Sequence, residues 1–218
     1  MFRSSDRLST GPLYARESHP GFPDGGDMPP TDPFNVVKEF APDLRLSDFA
    51  GPISLPAESV AAAEDVRRAI GTGRRLLIVH EETASEDKRW LPSRMQETLR
   101  ALTAEDPDLF AIIVGRGAPS FALEPLGDSA TAITHVGLPL FMALIARADV
   151  FIGVDSLGIH VADLWGVPSV GLFGPTKPEE WGLRFSDRGV HVDGRGSMRN
   201  ISVKQVVDAV HSVSAERV

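Results

Sequence analysis

The chain has 218 residues, 42% of them hydrophobic and 24% charged, which suits one soluble globular domain or one domain with an appendage. Its formal charge of −8 gives no general attraction to nucleic acid or anionic membrane, although a local basic spot could still hold a phosphate. Cysteine is absent, which excludes disulfide scaffolds, thiolate metal sites and cysteine nucleophiles, and fits a cytoplasmic location better than a secreted one.

Residues 1–33 are punctuated by Gly11-Pro12, Pro20-Gly21, Gly25-Gly26 and Pro29-Pro30 with few apolar residues between, so a flexible tail is expected. No apolar h-region follows Arg3 and Arg7, and no apolar run approaches the ~20 residues of a membrane span. Residues 34–73 read as a linker segment ending in a helix from Ala57 to Ile70, stopped by Gly71 and Gly73. The compact domain is expected over residues 74–218.

Within that domain Leu76 to Val79 is a short buried strand, followed by a polar loop. Pro92 suits a first helical turn, and Met95, Leu99 and Leu102 form a helical stripe. Leu109 to Val114 is the next strand, a weaker one spans Thr131 to Thr134, and Leu138 to Arg147 reads as a mostly buried helix. Val150 to Val154 is again an unbroken strand run, and Leu157, Val161 and Leu164 then recur at helical spacing. Gly166 and Pro168 stop that helix before the strand Ser169 to Phe173. Val190 to Val192 is a last strand, and Val203, Val206, Val207 and Val210 mark a C-terminal helix. Alternating strands and helices predict an α/β fold, a Rossmann-like and mostly parallel sheet flanked by helices.

Two polar turns directly after strands are the chemically rich places, because ligands of open parallel sheets sit at the carboxyl ends of the strands. In the first turn, Asp155-Ser156-Leu157-Gly158-Ile159-His160, a helix N-terminus offers free N–H groups and its positive dipole end to an anion. Ser156 can donate to a phosphate or merely cap the helix, Gly158 allows close backbone approach, and His160 is a further donor or a structural histidine. In the second turn, Gly174-Pro175-Thr176-Lys177-Pro178-Glu179, Thr176-x-x-Glu179 has capping-box spacing and Lys177 adds a cation. Together the turns would embrace a diphosphate; separately each is explained by capping. Lys88-Arg89-Trp90, in the loop after the first domain strand, offers another cation or a solvated basic pair.

Other chemistries lack support. Gly115-Arg116-Gly117 meets Ser120 where G-x-G-x-x-G needs its last glycine, which disfavours a dinucleotide site. The six histidines have no zinc-site spacing, and neither a GxSxG elbow nor a P-loop occurs.

The runs D-x-F-I-G-x-D-S-x-x-x-H-x-A and G-x-P-x-V-x-L-F-G-P-T-x-P-x-x-W-G closely resemble the C-terminal domain of glycosyltransferase family 9, the ADP-heptose:lipopolysaccharide heptosyltransferases and their relatives. A weaker likeness extends over residues 57–195. The resemblance implies the C-terminal, donor-binding half of a GT-B glycosyltransferase, inverting and independent of metal, with no cofactor beyond an ADP- or UDP-linked sugar as donor. By position it makes Lys88 the phosphate-binding lysine and Thr83 its neighbouring hydroxyl. Asp155, Ser156 and His160 match its first phosphate turn, and Gly174 and Thr176 its second.

Departures from the family pattern are also visible. Leu157 stands where the family has glycine, with Gly158 one place late, and Ser120, Phe121 and Ala122 replace an acidic residue suited to a ribose. The acceptor half with its catalytic Asp is expected to be missing, since Asp6, Asp24, Asp27 and Asp32 lie in the tail. No catalytic residue is therefore assigned. The expectation is a glycosyltransferase acting through a partner chain, a homo-oligomer or a non-standard acceptor site; the competing one is a non-catalytic nucleotide-sugar-binding or assembly subunit. The expected location is cytoplasmic, with peripheral attachment to the inner membrane as a variant.

Overall fold

The computed structural model describes residues 41–43, 51 and 53–215; the Pro/Gly-rich stretch 1–33 lies outside them. In chain order the elements are α1 (Ala57–Ala69), β1 (Arg75–His80), α2 (Pro92–Glu105), β2 (Leu109–Val114), β3 (Ala130–Ile133), α3 (Leu138–Ile145), β4 (Val150–Val154), α4 (Leu157–Leu164), β5 (Ser169–Phe173), α5 (Pro178–Trp181), β6 (Gly189–Asp193) and α6 (Val203–Ser214). Short 3₁₀ turns occur at Glu86–Lys88, Glu124–Ser129 and Met198–Asn200.

The six strands form one parallel sheet in the order β3-β2-β1-β4-β5-β6. Strands covered on both faces are apolar at every position, and β1 and β4 show this as the runs Leu76–Val79 and Val150–Val154. Alternate residues then divide between two cores. Leu77, Val79, Ile152 and Leu172 pack with α2 and α6, whereas Leu76, Ile78, Phe151 and Phe173 pack with α1, α3 and α4. Phe151 and Phe173 are fully buried, and each contributes on the order of 2–3 kcal/mol through removal from water.

The packed unit reaches back to α1, which lies upstream of residue 74. Ala63 of α1 is buried among Leu76, Ile78 and Leu144, and Arg67 reaches the Arg74 carbonyl and the Asp149 carboxylate. At the other end α6 starts with a capping box, in which Ser202 and Gln205 exchange hydrogen bonds. The Trp90 indole N–H donates to the Ile201 carbonyl at 3.2 Å, tying the β1–α2 loop to that start.

One feature of this order positions the site. From β1 the chain moves outward through β2 to β3, then returns to place β4 on the other side of β1. Such a reversal leaves a crevice outside the carboxyl ends of the two central strands, here β1 and β4.

Candidate functional site at the carboxyl edge of the sheet

A cavity of about 600 Å³ lies at that crevice. The β1–α2 loop supplies Glu82, Thr83 and Lys88; the end of β2 supplies Gly115 and Arg116; the start of α4 supplies Ser156, Leu157 and His160. Val136, Leu138 and Phe141 give the cavity an apolar side, and Trp181 also lines it. Leu138, Leu157 and Trp181 are each close to half exposed, unusual for large apolar side chains among the described residues.

Asp155 is the centre of the polar end. Its backbone N–H continues the β4–β5 ladder to the Leu172 carbonyl, which fixes the side chain at the strand end. The carboxylate is buried, and its Oδ2 accepts from the Lys88 ammonium and from the Thr176 hydroxyl, each at 2.7 Å. Two loops therefore converge on one carboxylate oxygen carried by a third.

This arrangement corrects two capping expectations. The Thr176-x-x-Glu179 spacing predicts a capping box, but Lys177 is the N-cap of α5 and no side chain caps that helix. The Thr176 hydroxyl is committed to Asp155 instead. Ser156 does occupy the N-cap position of α4, yet its side chain makes no capping bond. Ser156 Oγ and His80 Nδ1 share a hydrogen bond of 3.1 Å. The first turn of α4 thus keeps N–H groups without a side-chain cap beside the cavity, a place suited to an anion.

His80 is buried, its ring and that of Phe141 meeting edge to face at a centroid distance of 4.8 Å. Burial pushes its pKa down to about 4, against the upward pull of Glu82. His160 is likewise lowered by burial, although Asp155 and Asp163 pull the other way. His80 is therefore a neutral hydrogen-bonding partner near pH 7.

Not every residue expected at the site reaches the cavity wall. Lys88, Thr83, Asp155, Ser156 and His160 do. Thr176 takes part through Asp155 alone. Gly158 faces inward: a Cβ there would lie 2.9 Å from Phe151 and 3.0 Å from His80. Gly174 is closed over by the Met198 backbone, 2.5 Å from where its Cβ would stand. Lys177 is exposed and pairs with Glu180 at 3.3 Å. Of the basic pair after β1, Lys88 faces the cavity while Arg89 pairs with Glu86. Leu157, which shares the helical spacing of Val161 and Leu164, is exposed and lines the cavity.

Two glutamates carry roles that no local spacing signals. Glu81 is buried and accepts from the Ser120 N–H at 2.6 Å and the Ser120 hydroxyl at 2.5 Å. Glu82 Oε1 accepts from the Arg116 and Gly117 N–H groups at 2.8 and 2.9 Å. Burial works to raise the Glu82 pKa, but these bonds and the charges of His80 and Arg116 outweigh it and hold the pKa below the usual range. The available signal was their placement directly after a buried strand. Asp163, buried in α4, similarly accepts three backbone N–H groups from residues 184–186 and fixes the chain after α5.

Among the described residues no group of three or more His, Asp or Glu is arranged to hold a metal, and no helix is long and apolar enough to cross a membrane.

Comparison with known proteins points one way. The sequence model described as glycosyltransferase family 9 (heptosyltransferase) matches residues 41–205. No curated protein matches the chain. Among solved structures, a glycosyl transferase family 9 protein from Veillonella parvula DSM 2008 is 19% identical with a TM-score of 0.67, covering 77% of this chain and 55% of that one. The ADP-heptose lps heptosyltransferase II of E. coli is 16% identical with a TM-score of 0.61, covering 74% of this chain and 53% of that one. The E. coli heptosyltransferase WaaC, solved with ADP, is 18% identical with a TM-score of 0.60, covering 85% and 58%. The chain thus spans little more than half the length of these structures.

Proposed function

The chain belongs to glycosyltransferase family 9, and from that premise we propose that it is the donor-binding half of a heptosyltransferase-type glycosyltransferase, holding an ADP- or UDP-linked sugar in the cavity between β1 and β4. The observation that carries this reading is the convergence of Lys88, Asp155 and Thr176 beside the start of α4. A helix N-terminus and an ammonium on one side of a cavity suit a diphosphate. The apolar side formed by Val136, Leu138 and Phe141 suits a nucleobase.

In this reading the diphosphate is the leaving group. As the bond between the sugar and the β-phosphate breaks, negative charge builds on the phosphate oxygens. Lys88 and the α4 N–H groups stabilise that charge because they are already in place. Asp155 and Thr176 position the Lys88 ammonium. Transfer is inverting and independent of metal: the acceptor hydroxyl attacks the sugar as the diphosphate leaves, and the general base that takes its proton is supplied by a partner chain or a non-standard acceptor site.

A second reading is a non-catalytic nucleotide-sugar-binding or assembly subunit, favoured by one observation. Among the described residues, the carboxylates lining the cavity are Glu82 and Asp155, and both are engaged, by backbone N–H groups and by Lys88 with Thr176. The two readings separate in a turnover experiment. ADP- and UDP-sugars are incubated with the chain, alone and with proteins encoded beside it, with and without a chelator, and nucleoside diphosphate release is followed. Release that survives the chelator supports the transferase. Binding without release under every condition supports the subunit.

A further inference from the structure

The sequence lacks an acid after Gly117-Ala118-Pro119, where a ribose partner is sought, yet the cavity holds one from another strand. We infer that Glu82 is the residue that recognises the ribose of the bound nucleotide, through its Oε2 atom. The inference rests on the donor-site reading above and adds to it a sugar contact made from the end of β1.

The Glu82 carboxylate is built into its position. Oε1 is held by two backbone N–H groups, from Arg116 and Gly117. Gly115 leaves the space it occupies: a Cβ there would stand 2.7 Å from Oε1. Oε2 has a far weaker tie, to the Nε of a largely exposed Arg116 at 3.6 Å. The neighbouring Glu81 offers no such atom, since Ser120 takes both of its oxygens. One oxygen of Glu82 is therefore anchored and the other is presented to the cavity by a side chain that is one-quarter exposed.

Its chemistry narrows what it can meet. An ionised carboxylate only accepts hydrogen bonds, so its partner must donate and must not be anionic. The diphosphate fails on charge. The apolar side of the cavity takes the base. The ribose, with two adjacent hydroxyls, is the part that donates twice over. Position agrees: sheet order sets the β1 loop between the end of β2 and the β4 turn, so a nucleotide whose diphosphate lies at Lys88 and α4 carries its ribose past the β1 loop. Carboxylates recognise ribose hydroxyls in this way in other doubly wound sheets, from a different strand.

Calorimetric titration with ADP, UDP and their 2′,3′-dideoxy forms, on the wild-type chain and on Glu82→Gln, tests the inference. The Gln amide oxygen can still accept from Arg116 and Gly117, so the loop keeps its anchor. For the wild type, removing the ribose hydroxyls is expected to weaken binding about 10-fold or more, as for a bond to a charged group. Glu82→Gln is expected to lose a similar factor for the ribose form and to discriminate no further against the dideoxy form. Equal wild-type affinity for both forms overturns the inference, as does a Glu82→Gln chain that still discriminates fully. Those outcomes leave the donor-site reading standing; a wild-type chain that binds no nucleoside diphosphate overturns both.

Discussion

The Lys88 ammonium lies 2.7 Å from Asp155 Oδ2, with Lys88 about one-quarter exposed and Asp155 6% exposed. The cation assigned to the ligand is therefore already paired, and the carboxylate that holds it depends on it. Removing Lys88 leaves a buried charge with the Thr176 hydroxyl as its remaining side-chain donor. Lys88→Met is expected to destabilise the fold by about 3 kcal/mol, the low end for breaking a buried pair because Lys88 is partly exposed. Adding Asp155→Asn should restore most of that stability without restoring nucleotide binding. Urea unfolding of the two variants checks the first half, and calorimetry the second.

His80 links stability to pH. Burial holds its folded pKa at about 4, below the unperturbed 6.5, so acid favours the unfolded chain, where the imidazole protonates freely. Stability from this group is complete above about pH 6.5 and is lost as pH falls toward 4. Between pH 7 and 4.5 the loss is on the order of 2–3 kcal/mol. His160 and His191 are lowered by burial and act in the same direction. Glu82, whose pKa is also lowered, contributes its loss mainly at more acid pH. Denaturant midpoints at the two pH values should differ clearly less for His80→Asn than for the wild type.

Much of the fold is legible in the sequence because doubly covered strands are unbroken apolar runs. Leu76–Val79 and Val150–Val154 announce the central pair, and the Pro92 and Gly166-Val167-Pro168 punctuation marks helix ends. The destinations of the site hydroxyls are not legible. Ser156 and Thr176 stand where caps stand, but their partners are His80 and Asp155, 76 and 21 residues away. No local spacing encodes such a contact. Family resemblance points to Lys88, which the structure places on the cavity wall, whereas the contacts of Glu81 and Glu82 emerge only when β2 is laid beside β1. Gly158 reads as a ligand-approach glycine and Gly174, by resemblance, as part of the second phosphate loop; the structure gives each a packing reason that the sequence does not show.

Gly158 makes that packing reason measurable. An added Cβ would press on Phe151 and on the His80 ring that meets Ser156. Gly158→Ala is expected to cost about 1–3 kcal/mol through overpacking. Leu157→Ala, one residue earlier and exposed, should change stability by about 0.5 kcal/mol or less. Thermal unfolding of the pair distinguishes them; equal effects would mean that the start of α4 does not rest on β1 as described.

In the proposed function the cavity between β1 and β4 holds the diphosphate of a sugar nucleotide. Calorimetric titration of the wild-type and Lys88→Met chains with ADP- and UDP-sugars is the decisive measurement. Saturable wild-type binding of at least one of them is expected, competed by the corresponding free diphosphate and weakened about 10- to 100-fold in Lys88→Met. No binding to any of these ligands, or binding that Lys88→Met leaves unchanged, would contradict it.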